Sequence, residues 1–178
     1  TTRYRMLETL REYARERLVD TAEDGELSRR HAQHFRRFAE DADVALRGHG
    51  QREALRSLRA DQPNIRVALS FLGGPSGDPD LALDMAGSLG LFWHLGRHLE
   101  GRETLARLLD LDASPRARAR ALQAVSLVER PRACLVHPTP RCAETARESL
   151  AIFEQLADPS LAALSKVLLA VEGVTGSD

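Results

Sequence analysis

Apolar residues recur along most of the chain at the three- and four-residue spacing of one helix face. Near the C-terminus the residues of such a face are Leu161, Leu164, Leu168 and Val171. No run of alternating apolar and polar residues predicts a strand, apart from the short terminal segment Arg3 to Leu7. The pattern therefore predicts an all-α fold.

The starts of several helices are marked by a capping residue followed by proline. The cap oxygen accepts a backbone N–H that has no partner inside the helix, and proline lacks the N–H that would be left unpaired. The four pairs are Asp78-Pro79, Ser114-Pro115, Thr139-Pro140 and Asp158-Pro159.

We predict eight helices from these signals. The third is expected to be interrupted near Pro63, where Asp61 can cap a second start. The helices cover Leu7–Thr21, Gly25–Leu46, Gln51–Leu72, Pro79–Leu95, Glu100–Leu111, Pro115–Glu129, Pro140–Leu156 and Pro159–Val171.

The marked helix starts are weakly periodic. From Asp78 to Ser114 is 36 residues, and from Ser114 to Asp158 is 44 residues. Periods of ~34 to ~47 residues are typical of helical-hairpin solenoids. The longer interval contains the proline-rich stretch Arg130 to Thr139, which we interpret as an insertion. The sequence thus predicts a tetratricopeptide-like α-solenoid fragment.

The predicted helix Pro79–Leu95 is apolar on more than one face, so neighbouring helices should cover it on both sides. Gly87 and Gly90 within it would let a partner helix approach closely. Trp93, followed by Gly96 and Leu99, approximates the tetratricopeptide signature.

Composition adds few constraints on function. Aromatic residues make up only 4% of the chain, so Leu, Ala and Val must form most of the core. The net charge of -1 gives no global attraction to DNA or to an anionic membrane. The longest apolar stretch is about half of the ~20 residues that span a bilayer. The N-terminus is too charged for a signal peptide and lacks Met, so we expect a cytoplasmic piece of a longer protein.

Familiar catalytic and nucleotide-binding motifs are missing. A Walker phosphate loop needs a lysine after a glycine-rich turn, whereas the only lysine, Lys166, lies within a predicted helix. Zinc-protease, nucleophile-elbow and dinucleotide motifs are also absent. We therefore expect no catalytic, cofactor or metal site in this chain and do not expect an enzyme.

Three groups could in principle hold a metal, and for each we favour a structural role. His94 and His98 are one turn apart with Glu100 and Glu103 nearby, but we expect them to cap a helix end and face solvent. His31 and His34 lie beside Arg29 and Arg30, whose charge disfavours a cation. Cys134 and Cys142, with His137, lack a tight Cys-x-x-Cys spacing and are interpreted as an incidental pair.

The most basic region runs from Arg116 to Arg141. Its alternate arginines should spread over different sides of a helix, and no aromatic residues interleave with them, so we favour a solvated face or an acidic partner over nucleic acid. The arginines are Arg116, Arg118, Arg120, Arg130, Arg132 and Arg141. In the first predicted helix, Arg11, Arg15 and Arg17 alternate with Glu8, Glu12 and Glu16, as on a solvent-exposed face.

Four segments together resemble bacterial transcriptional regulators of the LuxR or AfsR/SARP type, which belong to the STAND ATPase class. They are Arg3 to Leu18, Arg30 to Phe35, Asp61 to Leu69, and Leu91 to Arg102. They follow the family's order, from the end of a winged-helix subdomain into helical repeats. The resemblance implies that residues 1–21 close the winged-helix subdomain and that 22–178 form the repeat domain.

In such regulators an ATPase acts as the switch, repeats sense a ligand or partner, and a helix-turn-helix binds DNA. This chain would then be the sensor and coupling region, with ATP and DNA bound by modules outside it. Its partner would be a protein, peptide or small inducer on the repeat surface. We keep two alternatives: a free-standing scaffold that joins two proteins, and an unrecognised helical enzyme.

Overall fold

The computed structural model describes residues 24–130 and 140–175, with side chains for 25–130 and 140–170. In these ranges the chain forms nine α-helices and no strand, so the all-α prediction is confirmed. The helices are α1 (Asp24–Leu46), α2 (Gln51–Ala60), α3 (Gln62–Leu72), α4 (Pro79–Ser88), α5 (Gly90–His94), α6 (His98–Leu109), α7 (Pro115–Val128), α8 (Pro140–Gln155) and α9 (Pro159–Thr175). The predicted winged-helix edge at 1–21, the helix Leu7–Thr21 and most of the proposed insertion lie outside the described residues.

Three of the predicted helix caps are confirmed. Asp78 accepts the N–H of Leu81 at 3.1 Å, and Asp158 accepts that of Leu161 at the same distance. Ser114 accepts the N–H of Ala117 at 3.4 Å. The fourth, Thr139, lies outside the described residues.

The break at Pro63 is confirmed, but the role predicted for Asp61 is wrong. Asp61 is the residue before α3, yet its side chain makes no capping bond and accepts from the side-chain amide of Asn64 at 3.2 Å. Its φ of -100° and ψ of 8° differ from the extended conformation that normally aims a cap oxygen at the backbone.

The segment predicted as one helix over Pro79–Leu95 is two helices, α4 and α5, separated at Leu89. The N–H of Leu89 is shared between the carbonyls of Met85 at 3.2 Å and Ala86 at 3.1 Å. Such sharing tightens the last turn of α4. The prediction of one continuous helix was therefore wrong, because apolar spacing alone does not reveal a tightened turn.

The helices pack around a series of successive neighbours. The helices α1, α4, α7 and α9 contact one another in turn. Around them, α3 packs on α1, α6 on α4 and α7, and α8 on α7 and α9. This arrangement fits a helical repeat fragment. Within the described ranges, no helix has the length and apolarity needed to cross a membrane.

The close approach predicted at the two glycines is confirmed. A Cβ on Gly90 would lie 2.8 Å from the Cβ of Ala124 on α7, and one on Gly87 would lie 3.1 Å from the Cβ of Arg120. The surrounding core is rich in alanine and leucine, as the low aromatic content predicted. Residues of α4 such as Ala82, Leu83 and Met85 are fully buried, so this helix is covered as expected.

Candidate ligand-binding clefts

The two histidines of the predicted pair, one on α5 and one on α6, differ in their exposure to solvent. His94 is half-buried, and its Nδ1 lies 2.8 Å from the carbonyl oxygen of Leu127 on α7. His98 is exposed at the start of α6. The expectation that both face solvent is therefore wrong for His94, which joins two helices.

The histidines of α1 form an aromatic cluster. The ring centroids of His31 and His34 lie 4.7 Å and 4.9 Å from the ring centroid of Phe35. The ring centroids of Phe35 and Phe38 are 6.0 Å apart. Partial burial, helped by the charge of His34, lowers the pKa of His31. The cluster thus disfavours a proton on His31.

Among the described residues no group of three or more His, Cys, Asp or Glu side chains could hold a metal ion. Cys142 is buried in α8, while Cys134 and His137 lie outside the described residues. The interpretation of Cys134 and Cys142 as an incidental pair therefore stays a prediction.

The arginines of α7 do spread over different sides of the helix, and each contacts a neighbouring helix or loop. Arg120 donates to the Ser88 hydroxyl at 2.8 Å, and Arg118 donates to the Leu109 carbonyl at 3.0 Å. Arg116 lies between two carboxylates, 3.7 Å from Asp84 and 3.9 Å from Asp158. These arginines tie α7 to its neighbours.

The same holds at the ends of the basic region. Arg130 donates to the carbonyl of Leu168 at 2.9 Å, and Arg141 lies 3.9 Å from Glu129. The expected solvated face fits Arg116 and Arg141, which are exposed, but not Arg120, whose side chain is only 19% exposed. Arg132 lies outside the described residues.

A polar junction centred on Glu100 joins α3 to the start of α6. The Glu100 carboxylate accepts hydrogen bonds from Gln62 at 2.6 Å, Arg66 at 2.8 Å and Arg97 at 3.3 Å. Gln62 is only 8% exposed, so Glu100 supplies an acceptor for a buried amide. We call these four residues the Glu100 junction.

The charges of the junction favour an ionised Glu100. Partial burial alone would raise its pKa, but the hydrogen bond and charge of Arg66, together with Arg97, outweigh burial. The net effect is that the pKa of Glu100 lies below its ordinary value. The same pair raises the pKa of Arg66.

Two clefts flank the buried ring of Phe92. The first, of about 330 Å³, lies between α3, α5 and α6. It is lined by the apolar residues Ile65, Leu69 and Trp93 and by the acidic residues Glu100 and Glu103. We call it the Glu100 cleft. The second, of about 340 Å³, lies between α2 and α5 and is called the Arg59 cleft. Its lining residues are Leu55, Arg59, Phe92, Leu95, Gly96 and Arg97.

A third cleft, of about 230 Å³, lies where α1, α4, α7 and α9 meet, and we call it the inner cleft. Leu127, Leu161 and Leu164 form an apolar side, and Asp43, Arg47 and Arg120 contribute charges. Asp43 and Arg47 are paired with each other at 2.8 Å.

A buried polar chain holds α9 beside the inner cleft. Gln123 donates to the Leu161 carbonyl at 2.7 Å and to the Ser165 hydroxyl at 2.8 Å. Ser165 is in turn 2.8 Å from the hydroxyl of Ser149 on α8. The three side chains link α7, α8 and α9, and their bonding limits how far α9 can shift without leaving a buried polar group unpaired.

Sequence reasoning missed the Glu100 junction, the Arg59 cleft and the polar chain. The sequence marks Glu100 as the start of a predicted helix and as a neighbour of His94 and His98, but not as an ion-pair partner. Its partner Arg66 is 34 residues away, and no local spacing indicates such a contact. Arg59 carries no motif of its own, and only the fold places it beside Phe92.

Comparison with known proteins finds three similar sequences from mycobacteria. One is from Mycobacterium bovis, and two are from the CDC 1551 and H37Rv strains of Mycobacterium tuberculosis. Their names describe them, provisionally, as HTH-type transcriptional regulators. Each is 30% identical to this chain over 176 aligned residues, and the match covers 95% of the chain. No family model matches the chain, and no solved structure matches it significantly.

The chain spans 19% of the length of each of these relatives. The similarity therefore supports a link to transcriptional regulators for a helical region of about a fifth of their length.

Proposed function

We propose that this chain is the sensor and coupling region of an HTH-type transcriptional regulator. In this proposal it binds a ligand or partner and transmits that event to an ATPase switch and a DNA-binding module outside the chain. The observation that carries the proposal is similarity over 95% of the chain to proteins named as such regulators. A regulator of this kind acts in the cytoplasm, and we assign no reaction to the chain itself.

The fold supports a binding role. A helical repeat exposes a long surface on which clefts form between successive helices. Here three clefts of 230 to 340 Å³ lie between helices that are distant in sequence. A ligand in such a cleft would contact several helices at once, so its binding would favour one arrangement of the stack over another.

The helix contacts also suit transmission along the stack. The described arginines of α7 reach α4 and α6 through hydrogen bonds and the loop before α9 through an ion pair, so movement of one helix changes polar contacts on the next. The ion pair between Arg116 and Asp158 is 3.9 Å long and part-exposed. Such pairs contribute little net stability and can exchange at low cost.

Nucleotide binding by the full-length protein tests the proposal. We expect the full-length protein to bind ATP saturably and the 178-residue chain to bind none, as measured by calorimetry with Mg-ATP. A full-length protein that binds neither ATP nor a specific DNA sequence would overturn the regulator proposal. It would favour the second candidate, a free-standing helical scaffold, for which the same clefts are the supporting observation.

A further inference from the structure

The Arg59 cleft differs in charge from the other two clefts. Its only charged lining residues are Arg59 and Arg97. Acidic residues line both of the others: Glu100 and Glu103 in the Glu100 cleft, and Asp43 in the inner cleft. Of these three clefts, the Arg59 cleft is therefore the one suited to an anion.

Both guanidinium groups are available to a ligand. Arg59 is exposed and makes no ion pair with any described residue. Arg97 is 36% exposed, and its 3.3 Å bond is the longest of the three that Glu100 accepts. If Arg97 turned towards a ligand, Glu100 would keep Gln62 and Arg66 as partners.

The remaining lining of the Arg59 cleft is apolar. Leu55, Phe92 and Leu95 face it, and the position beside Gly96 is open, with nothing within 4 Å of where a Cβ would stand. A volume of about 340 Å³ is at the lower end of the ~300 to ~1,000 Å³ found for small-molecule sites. The cleft thus combines two cations with a small apolar surface.

We propose that the Arg59 cleft binds a small organic anion. A carboxylate or phosphate head would lie between Arg59 and Arg97, since guanidinium groups donate two parallel hydrogen bonds to such oxyanions. An aliphatic or aromatic body would pack on Phe92, Leu55 and Leu95. The ligand's role as a signal rests on the proposed function, whereas its binding is a property of this chain alone.

Titration of the 178-residue chain with hexanoate and with phenyl phosphate tests the proposal. Trp93, the only tryptophan, is next to Phe92 and provides a fluorescence signal, and the amide NMR signals of Gly96 and Arg97 report on the cleft itself. We expect saturable binding with a dissociation constant of about 1 mM for ligands of this size. Acetate and inorganic phosphate, which lack the apolar body, should bind about tenfold more weakly. The two head groups distinguish a carboxylate ligand from a phosphate ligand.

Two variants and a matched control locate the site. Arg59→Gln and Arg97→Gln should each weaken hexanoate binding at least tenfold. Arg52→Gln removes the same charge from an exposed arginine of α2 that has no described ion pair. Arg52 is two turns from Arg59, about 10 Å along the helix, so its loss should change the affinity less than twofold. Circular dichroism verifies that each variant is folded, and Arg59 forms no described contact on which folding depends.

Three results would each overturn the proposal: no saturable binding of either probe, equal binding of acetate and hexanoate, or equal weakening by Arg52→Gln and Arg59→Gln. The last two would indicate a general attraction of anions to basic residues. None of these results depends on ATP or DNA. A failed titration would therefore leave the regulator proposal standing, and a protein without ATP or DNA binding could still bind the anion.

Discussion

Two junctions between helices hold this molecule together in different ways. Where α4 and α5 meet α7, the contact depends on missing side chains, because Gly87 and Gly90 let the backbones come close. Where α3 meets α6, the Glu100 junction joins the helices through one carboxylate and three donors.

This stack is therefore rigid at the glycine contact and adjustable at the Glu100 junction. A close-packed contact cannot take up another methyl group without moving a backbone. Ion pairs that are partly in water can lengthen or change partners at small cost. Two of the clefts flank Phe92 beside the adjustable junction, so ligand binding there meets less resistance than it would at the glycine contact.

The largest effect is expected at the rigid junction. In Gly90→Ala the new methyl would stand 2.8 Å from the Cβ and 2.9 Å from the Cα of Ala124, so α7 must move. We expect a loss of about 2 kcal/mol in the free energy of unfolding, measured with urea. Gly96→Ala is the matched control, because nothing lies within 4 Å of its added methyl. Equal losses in the two variants would mean that close packing is not what Gly90 provides.

Removal of the Glu100 carboxylate should have a smaller effect. Glu100→Ala leaves the buried amide of Gln62 without its acceptor, and we expect a loss of about 1.5 kcal/mol by the same measurement. Glu103 lies on the same helix and has no described ion pair. The variant Glu103→Ala should therefore change the free energy of unfolding by less than about 0.5 kcal/mol. If both variants behaved alike, the Glu100 junction would have no special role in stability.

The pH dependence of stability should report the ionised state of Glu100. Its pKa is lower in the folded chain, so its contribution is complete above the ordinary value of 4.5 and is lost as the pH falls through the folded value. Because the Glu100 carboxylate is partly in water, we expect it to contribute less than about 1 kcal/mol to the free energy of unfolding. The test compares urea unfolding of the wild type and Glu100→Gln at pH 7 and at successively lower pH. A difference that stays constant below pH 4.5 would contradict this prediction.

The smallest effect is expected from Arg66. Its side chain is 60% exposed, so Arg66→Gln should lower the free energy of unfolding by no more than about 0.5 kcal/mol. The loss should shrink further in 0.5 M NaCl, because salt screens exposed pairs. A loss above 1 kcal/mol that salt does not change would show that the Glu100 junction is as rigid as the glycine contact.

Local signals predicted much of the fold. The caps at Asp78, Ser114 and Asp158 follow from residue type and neighbouring proline, and the close approach at Gly87 and Gly90 follows from their small size in an apolar segment. These features depend on residues within a few positions of one another, or on the absence of a side chain.

The site could not be predicted in the same way. The bond between Arg66 and Glu100 joins residues in separate helices, and Phe92 lines two clefts only because three helices converge on it. The arginines of α7 show the same limit, since an arginine run has the same sequence whether it meets solvent, phosphate or the next helix. Partner choice at these positions is decided by tertiary packing.

Selection of bound sequences from a random DNA library would show whether this region belongs to a DNA-binding regulator. The full-length protein and the 178-residue chain would be put through the same selection, followed by anisotropy measurements on the enriched DNA. The account predicts that the full-length protein enriches a specific sequence and that the chain alone enriches none. Two results would contradict this prediction: enrichment of a specific sequence by the 178-residue chain, or no enrichment by either protein.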